Sequence, residues 1–568
     1  RNTTVWWLMM GAALLVVAAR CSIAFTIGCY DQAIQLEAAH RLVQGLGLTS
    51  RVFGTFHPDI SQPPTANYLT WWPPGLSLLM AALLSLKIPL VLALKALYGS
   101  ATLAGWWGWA TLLSQLLTSP LRVGVLNLPI HWLLAVIFPL FYTPIWSGTD
   151  LFLWAVIPFI VLLLFQPRSN RYWHHLPTRD HHFPTRNIVA IGLLVGCTYI
   201  IRYAALFLIP TIFVWLLQRE RFQIRRVLQL FGIFILSCLP FLAAIALYNR
   251  LASQAVGGLP PYIETNIVGN FARYAPRLLT SAPTISAIFG ITNLQPYADK
   301  LGFFRPLVGI VFWVTVALLP LALLQATANR FRHQDISATR CLLVALAILP
   351  IMLALFLGAC TLLGSYNFLS DYRYYIPAIL PTIVVLYTIA SHTLADLRRH
   401  RSFLKLCYSG LLVIFLAYNL VYRPVGALLM NRGRDFLGFP LFSTLGEIRY
   451  FSNDVIIEHK ETLARIQQLR QLQPQAQVFM HSACFVYNNA NWFVPMYMTP
   501  SYWQTAYTSQ PISIIWVFFD NICTGDCIPQ PVFSKLAAQE SFKQVYTSAH
   551  EHTRIILVTL PAGYRFSD

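Results

Sequence analysis

Long apolar runs separated by short basic stretches pattern this chain as far as residue 422, and a strand-and-helix rhythm replaces them after it. Runs able to cross about 30 Å of hydrocarbon recur at 4–28, 123–146, 151–166, 229–248, 304–324, 341–363, 375–395 and 404–422. Segment 75–117 is expected to cross once, so that PGLSLLMAALLS becomes a short interfacial or half-inserted helix broken by Lys87 and Pro89. That makes nine full crossings. Residues 188–217 form an apolar run too long for one span and too short for two, with basic flanks on both sides. Two half-length helices meeting near Ile201-Arg202-Tyr203 satisfy both facts. Irregular backbone at membrane depth is tolerated where protein buries it or it lines a wet cavity.

The loops between these runs give a sidedness. Arg168, Arg171, Arg179 and Arg186, then Arg219, Arg221, Arg225 and Arg226, then Arg330, Arg332 and Arg340, then Arg398, Arg399, Arg401 and Lys405, fall in loops of one side, which the positive-inside rule makes cytoplasmic. The N-terminus is then cytoplasmic, and loop one (29–74), the 147–150 turn, loop 249–303 and the tight loop GSYNFLSDYRYY are extracytoplasmic.

The chain thus divides into a transmembrane part, 1–422, and an outer-facing part, 423–568. In the second part LARIQQLRQL has helical period, AQVFMHS and ISIIWVFFD read as buried strands, FSKLAAQESFKQVY as a helix and TRIILVTL as a closing strand. This pattern predicts a small α/β domain, with neither a glycine-rich phosphate loop nor a nucleophile elbow.

Composition agrees with a polytopic α-helical membrane protein: 57% of the 568 residues are hydrophobic and 11% charged. A net charge of +19 would suggest a nucleic-acid partner in a soluble protein, but its concentration in short loops makes membrane lipids the partner and excludes nucleic acid. The first apolar segment reads as a retained span rather than a cleaved signal. Cys523 and Cys527, in CTGDC, suit a tight disulfide on an oxidising side or half a zinc site, and no second Cys pair completes the latter.

Candidate chemistry gathers on the outer side. Asp31 is the first acid after the first span, where it either caps the following helix or acts as a base at the membrane surface. Loop one adds Glu37, His57, Asp59, Tyr68 and Trp72; the 147–150 turn adds Asp150; the tight loop adds Asp371, Arg373 and Tyr374; and the membrane break adds Arg202 and Tyr203. Carboxylates without a nucleotide-phosphate loop suit general-base catalysis, and arginines suit the phosphate of a leaving group. No cofactor is required by this set, while a divalent cation near His57 and its acidic neighbours stays an open alternative. Broken helices and intramembrane arginine also suit a lipid or sugar transporter, although no pseudo-symmetric halves are visible.

The order of these features is similar to the GT-C superfamily of membrane glycosyltransferases, in the branch of the protein O-mannosyltransferases and the lipid A aminoarabinose transferase (family 39-like). The residues that carry the resemblance are Asp31, Ala39 to Gly45 in an A-x-x-L-x-x-G helix, Pro73-Pro74-Gly75, Asp150 in SGTDLF, Arg202 in YIIRYAALFLIP, and Arg373-Tyr374-Tyr375-Ile376-Pro377. It implies a GT-C-like fold over about residues 5–390 and a polyprenyl-phosphate-linked sugar as donor, with the acceptor unknown. It also implies that Asp31 and Asp150 are catalytic and that Arg202 and Arg373 hold the donor phosphate. Two positions depart from the pattern: Gln32 stands where many members have Glu after the acid, and Trp72 where many have Lys before the proline pair.

Overall fold

The computed structural model describes residues 7, 10, 11, 14, 30–55, 57–62, 65–70, 72–116, 122–123, 126–127, 149–165, 184–220, 222–256, 269, 338–363, 374, 377–378, 380–382, 384–385, 453–480, 493–495, 502–519, 530–548 and 553–566. The expected crossings at 4–28, 123–146, 304–324, 375–395 and 404–422 lie wholly or mostly outside these residues, as do Cys523, Cys527 and most of loop 249–303.

Loop one is an ordered element. Helix α1 (Tyr30–Val43) leads into strand β1 (Thr49–Thr55), which pairs antiparallel with β2 (Thr65–Tyr68). Gly45 and Gly47, both at positive φ, allow the turn between helix and strand. Helix α2 (Gly75–Ser85) is short and ends before Lys87, which takes φ 60°, and α3 (Leu90–Leu116) then runs 27 residues. The break expected at Lys87 and Pro89 is therefore real. The segment expected to start a span at 123 opens otherwise, as a small hairpin of β3 (Arg122–Val123) and β4 (Leu126–Asn127) joined by two residues.

Helix α4 (Asp150–Phe165) packs on α3, with the Trp109 indole N–H donating to the Trp154 carbonyl at 3.1 Å. Helix α5 (Thr185–Ile201) stops at Arg202, a 3-10 turn covers Tyr203–Phe207, and α6 (Leu208–Arg219) resumes. The run 188–217 is thus two half-length helices meeting where its length and flanks placed the joint. Helix α7 (Ile224–Val256) follows and packs closely on α5, because a Cβ at Gly192 would stand 2.8 Å from the Phe234 carbonyl oxygen. Small residues permit such backbone approach in apolar surroundings. Helix α7 also runs eight residues past the expected end of its span at 248, so the first part of loop 249–303 is helical.

Helix α8 (Ala338–Leu363) completes this cluster, packing on α6 through the Trp215 indole N–H and the Ala345 carbonyl at 3.0 Å. Among the described residues two helices are long and apolar enough to cross a membrane, Ile224–Ala252 and Cys341–Leu362. One continuous apolar core joins α1 to α8.

The C-terminal region forms a five-stranded mixed sheet flanked by helices. Its strands are β5 (Gln477–Met480), β6 (Phe493–Pro495), β7 (Ile512–Phe519), β8 (Lys543–Thr547) and β9 (Thr553–Leu560), in the order β6-β5-β7-β9-β8. Strand β7 is apolar on both sides because both faces of the sheet are covered. Ile514 and Trp516 face a core with Val532 and Leu536 of α10 (Gln530–Ala537), while Ile515 and Val517 face Ile466 and Leu469 of α9 (Asn453–Leu472). The segment FSKLAAQESFKQVY, expected as one helix, is α10 followed by edge strand β8. The strand expected to close the sheet, β9, lies inside it, between β7 and β8.

Candidate active site at the α5–α6 break

Arg202 takes an extended conformation (φ −146°, ψ 114°) between two helices, while its N–H still donates to the Thr198 carbonyl at 2.7 Å. The break turns the side chain out of the helical path and toward α4. Its Nη2 lies 2.8 Å from Asp150 Oδ1, with the residues 8% and 2% exposed. The guanidinium also lies over the Tyr374 ring, 5.1 Å from its centroid. Asp150 stands in the first turn of α4, where a helix terminus favours negative charge. A buried arginine is costly unless paired and hydrogen-bonded, and here the partner is a carboxylate from a different helix.

The proline-glycine element abuts this break. Pro74 leads into α2 at φ −73°, and a Cβ on Gly75 would stand 2.6 Å from the Ile200 carbonyl oxygen. Only glycine admits that approach, so PPG and YIIR fit together as one joint. Ser77 fastens α2 to α1, its hydroxyl donating to the Gln35 carbonyl at 2.7 Å.

Tyr203 faces the other way, toward the exit of loop one. Its hydroxyl donates to the Thr70 carbonyl at 3.3 Å and exchanges hydrogen bonds with the Asn249 amide. The neighbouring Tyr248 hydroxyl donates to the Leu69 carbonyl at 2.9 Å. Tyr248 and Asn249 were not singled out in the sequence, where YNR at the end of an apolar run looks like an interfacial anchor.

The loop-one candidates separate into several roles. Asp31 is the second residue of α1, inside the helix rather than before it. Glu37, two turns on and fully buried, accepts from the Ser50 hydroxyl at 2.7 Å and from Arg51 Nε at 2.9 Å. It locks α1 to β1. Tyr68, at the end of β2, is 42% exposed, and Trp72 is half-buried against the main core.

His57 and Asp59 meet the C-terminal sheet domain instead of the Arg202–Asp150 pair. Asp59 Oδ1 accepts from the Ser61 hydroxyl at 2.6 Å and from the Ser509 N–H at 3.0 Å, and the His57 carbonyl accepts from the Tyr502 hydroxyl at 2.6 Å. Burial alone would raise the Asp59 pKa, but the hydrogen bonds from Ser509 and Ser61 outweigh it and hold the carboxyl far below the usual range. Burial, helped by the Asp59 charge, pushes the Tyr502 phenol up. Asp371 and Arg373 lie outside the described residues, though Tyr374 beside them reaches Arg202. Among the described residues no group of three or more His, Cys, Asp or Glu could hold a metal ion.

No protein-family model matches the chain, and no curated protein does either. Solved structures do. ArnT from Cupriavidus metallidurans in the apo state is similar over 100% of both chains, at 13% identity and a TM-score of 0.44. The same protein bound to undecaprenyl phosphate is similar over 98% of both chains, at 13% identity and a TM-score of 0.43. An oligosaccharyltransferase of Archaeoglobus fulgidus covers 73% of this chain and 54% of its own, at 11% identity and a TM-score of 0.35. The mycobacterial arabinofuranosyltransferase AftD covers 98% of this chain and 40% of its own, at 13% identity and a TM-score of 0.41. Of these likenesses, the one to ArnT runs end to end over both chains.

Proposed function

We propose that this protein is an inverting glycosyltransferase that moves a sugar from a polyprenyl-phosphate donor to a lipid, glycan or protein acceptor at the extracytoplasmic membrane face. The observation that carries the reading is the buried Arg202–Asp150 pair at the break between α5 and α6. An arginine held there by a carboxylate at 2.8 Å has a fixed orientation and donors suited to phosphate oxygens.

Asp31 takes the proton from the acceptor hydroxyl or amine as the acceptor atom attacks the anomeric carbon. The bond from that carbon to the phosphate oxygen breaks on the opposite face, and the electron pair leaves with the polyprenyl phosphate. Arg202 and Arg373 stabilise the charge that gathers on the phosphate. Asp150 orients Arg202, a narrower role than handling acceptor or sugar directly. Tyr374, whose ring lies beneath the Arg202 guanidinium, flanks the phosphate position.

Two variants test the scheme with undecaprenyl phosphate and its sugar conjugates as probes. Arg202→Ala is expected to lose binding of undecaprenyl phosphate, and Asp31→Asn to keep binding and lose transfer. Transfer that survives Asp31→Asn rejects Asp31 as the base. Lipid movement across the bilayer without transfer would favour the transporter class instead.

A further inference from the structure

Loop one is built into the C-terminal sheet domain over a short stretch. Pro58 and Ile60 exchange backbone hydrogen bonds with Tyr507, at 2.8 and 2.9 Å, so 58–60 continues the domain as an added strand-like edge. Ile60 is only 3% exposed, and its side chain belongs to the same apolar cluster as Trp503, Trp516 and Phe566. Asp59 between them accepts from Ser509, and the Ser61 hydroxyl lies 3.1 Å from that of Ser509. The C-terminal core is therefore incomplete without a side chain from loop one.

From this clasp the chain has little slack before the candidate site. Strand β2 begins at Thr65 and is paired to β1, which Glu37 fixes to α1. Immediately after β2, the Leu69 and Thr70 carbonyls are held by Tyr248 and Tyr203, and Tyr203 follows Arg202 in the chain. A displacement of the clasp is transmitted along paired strands rather than absorbed by a flexible loop.

We infer that the C-terminal sheet domain sets the position of loop one against the α5–α6 break, with Asp59 and Ile60 as positioning residues. The inference rests on the glycosyltransferase reading only in what the positioned site does. Asp59 neither touches donor nor reacts; it acts through Ser509 and the backbone of 58–61. The C-terminal domain thereby has a task at the membrane site, and the Pro-rich stretch of loop one is a fastening point rather than a substrate contact.

The test uses the full chain in lipid nanodiscs and follows amide hydrogen exchange. In Asp59→Ala, the amides of Thr65–Thr70 are expected to exchange about tenfold faster than in the parent while β7 stays protected. Adding Ser61→Cys with Ser509→Cys, whose oxygens sit 3.1 Å apart, and oxidising the pair is expected to restore the parent rate. A merely destabilised domain would not be rescued in this way. Unchanged exchange at Thr65–Thr70, or loss of protection in β7 together with it, overturns the inference. This readout contains no transfer step, so it is independent of the glycosyltransferase reading, which fails separately if Arg202→Ala binds undecaprenyl phosphate as the parent does.

Discussion

Arg202 Nη2 and Asp150 Oδ1 lie 2.8 Å apart although 52 residues separate them in the chain, and each stands where a helix is interrupted or begins. The extended Arg202 backbone frees the guanidinium from the helix, and the first turn of α4 supplies a carboxylate in a favourable field. Charge, break and helix terminus thus depend on one another, so altering any one exposes the others.

Asp150→Asn is expected to destabilise the protein by about 3–5 kcal/mol, because it leaves the buried Arg202 charge without its anion. Thermal unfolding in detergent checks this. Replacing both, as Arg202→Met with Asp150→Leu, should recover most of the loss in stability while undecaprenyl phosphate binding stays absent. A double variant as unstable as Asp150→Asn alone would mean that the pair is not the source of the cost.

Gly75→Ala would drive a methyl group to 2.6 Å from the Ile200 carbonyl oxygen, a backbone atom that cannot swing away. The joint between α2 and the α5 end must open, at about 1–3 kcal/mol. The expected result is a lower unfolding temperature together with weaker binding of undecaprenyl phosphate, since Arg202 lies two residues from the clash. Normal binding in a destabilised variant would separate the joint from the site.

Tyr203→Phe removes only the hydroxyl that meets Thr70 and Asn249. A neutral hydrogen bond of this kind contributes about 0.5–1.5 kcal/mol. Faster exchange confined to the exit of loop one is expected, with global unfolding hardly shifted. A global shift of several degrees would instead mark Tyr203 as a core residue.

Asp59 gives a pH dependence whose sign follows from its depressed pKa. The folded carboxyl titrates below the ordinary value of about 4, so its contribution is complete at neutral pH and is lost as pH falls below that value. The difference in loop-one protection between parent and Asp59→Asn should therefore be flat from about pH 8 to 5 and shrink below about pH 4. A difference that grew on acidification would contradict the hydrogen bonding at Ser509.

The two helix breaks were legible because the length and flanks of each run constrain them jointly. A run of thirty apolar residues between two basic loops had to break, and Arg202 marked the place. Lys87 and Pro89 marked the other break in the same way. The continuous run ISIIWVFF announced a buried strand, and TRIILVTL announced a strand, although nothing local placed it inside the sheet.

What was missed depended on distant partners or on mixed local signals. His57 and Asp59 sit in a Pro-rich stretch that reads as a turn near a cavity, whereas Tyr502 and Ser509 hold them more than 440 residues along the chain. Strand β8 reads as the tail of a helix in the sequence because KQVYT is polar enough for a helix surface, and it is half-exposed at the sheet edge. Helix α7 overran its expected end because LYNRLASQAV, beyond the apolar span, still keeps helical residues without a proline or glycine to stop it.

The insertion of Ile60 into the core around Trp503 and Trp516 has a consequence for how the protein is made. Synthesis runs from N- to C-terminus, so the loop emerges long before the pocket that receives it. Loop one must wait unfastened while several apolar helices are made, and contacts of such large sequence separation form slowly. Trp503, Trp516 and Phe566 close over a side chain made more than 440 residues earlier. Fastening of loop one therefore waits for the C-terminal sheet, and a chain that stops short of residue 502 would be unable to fasten its own first loop.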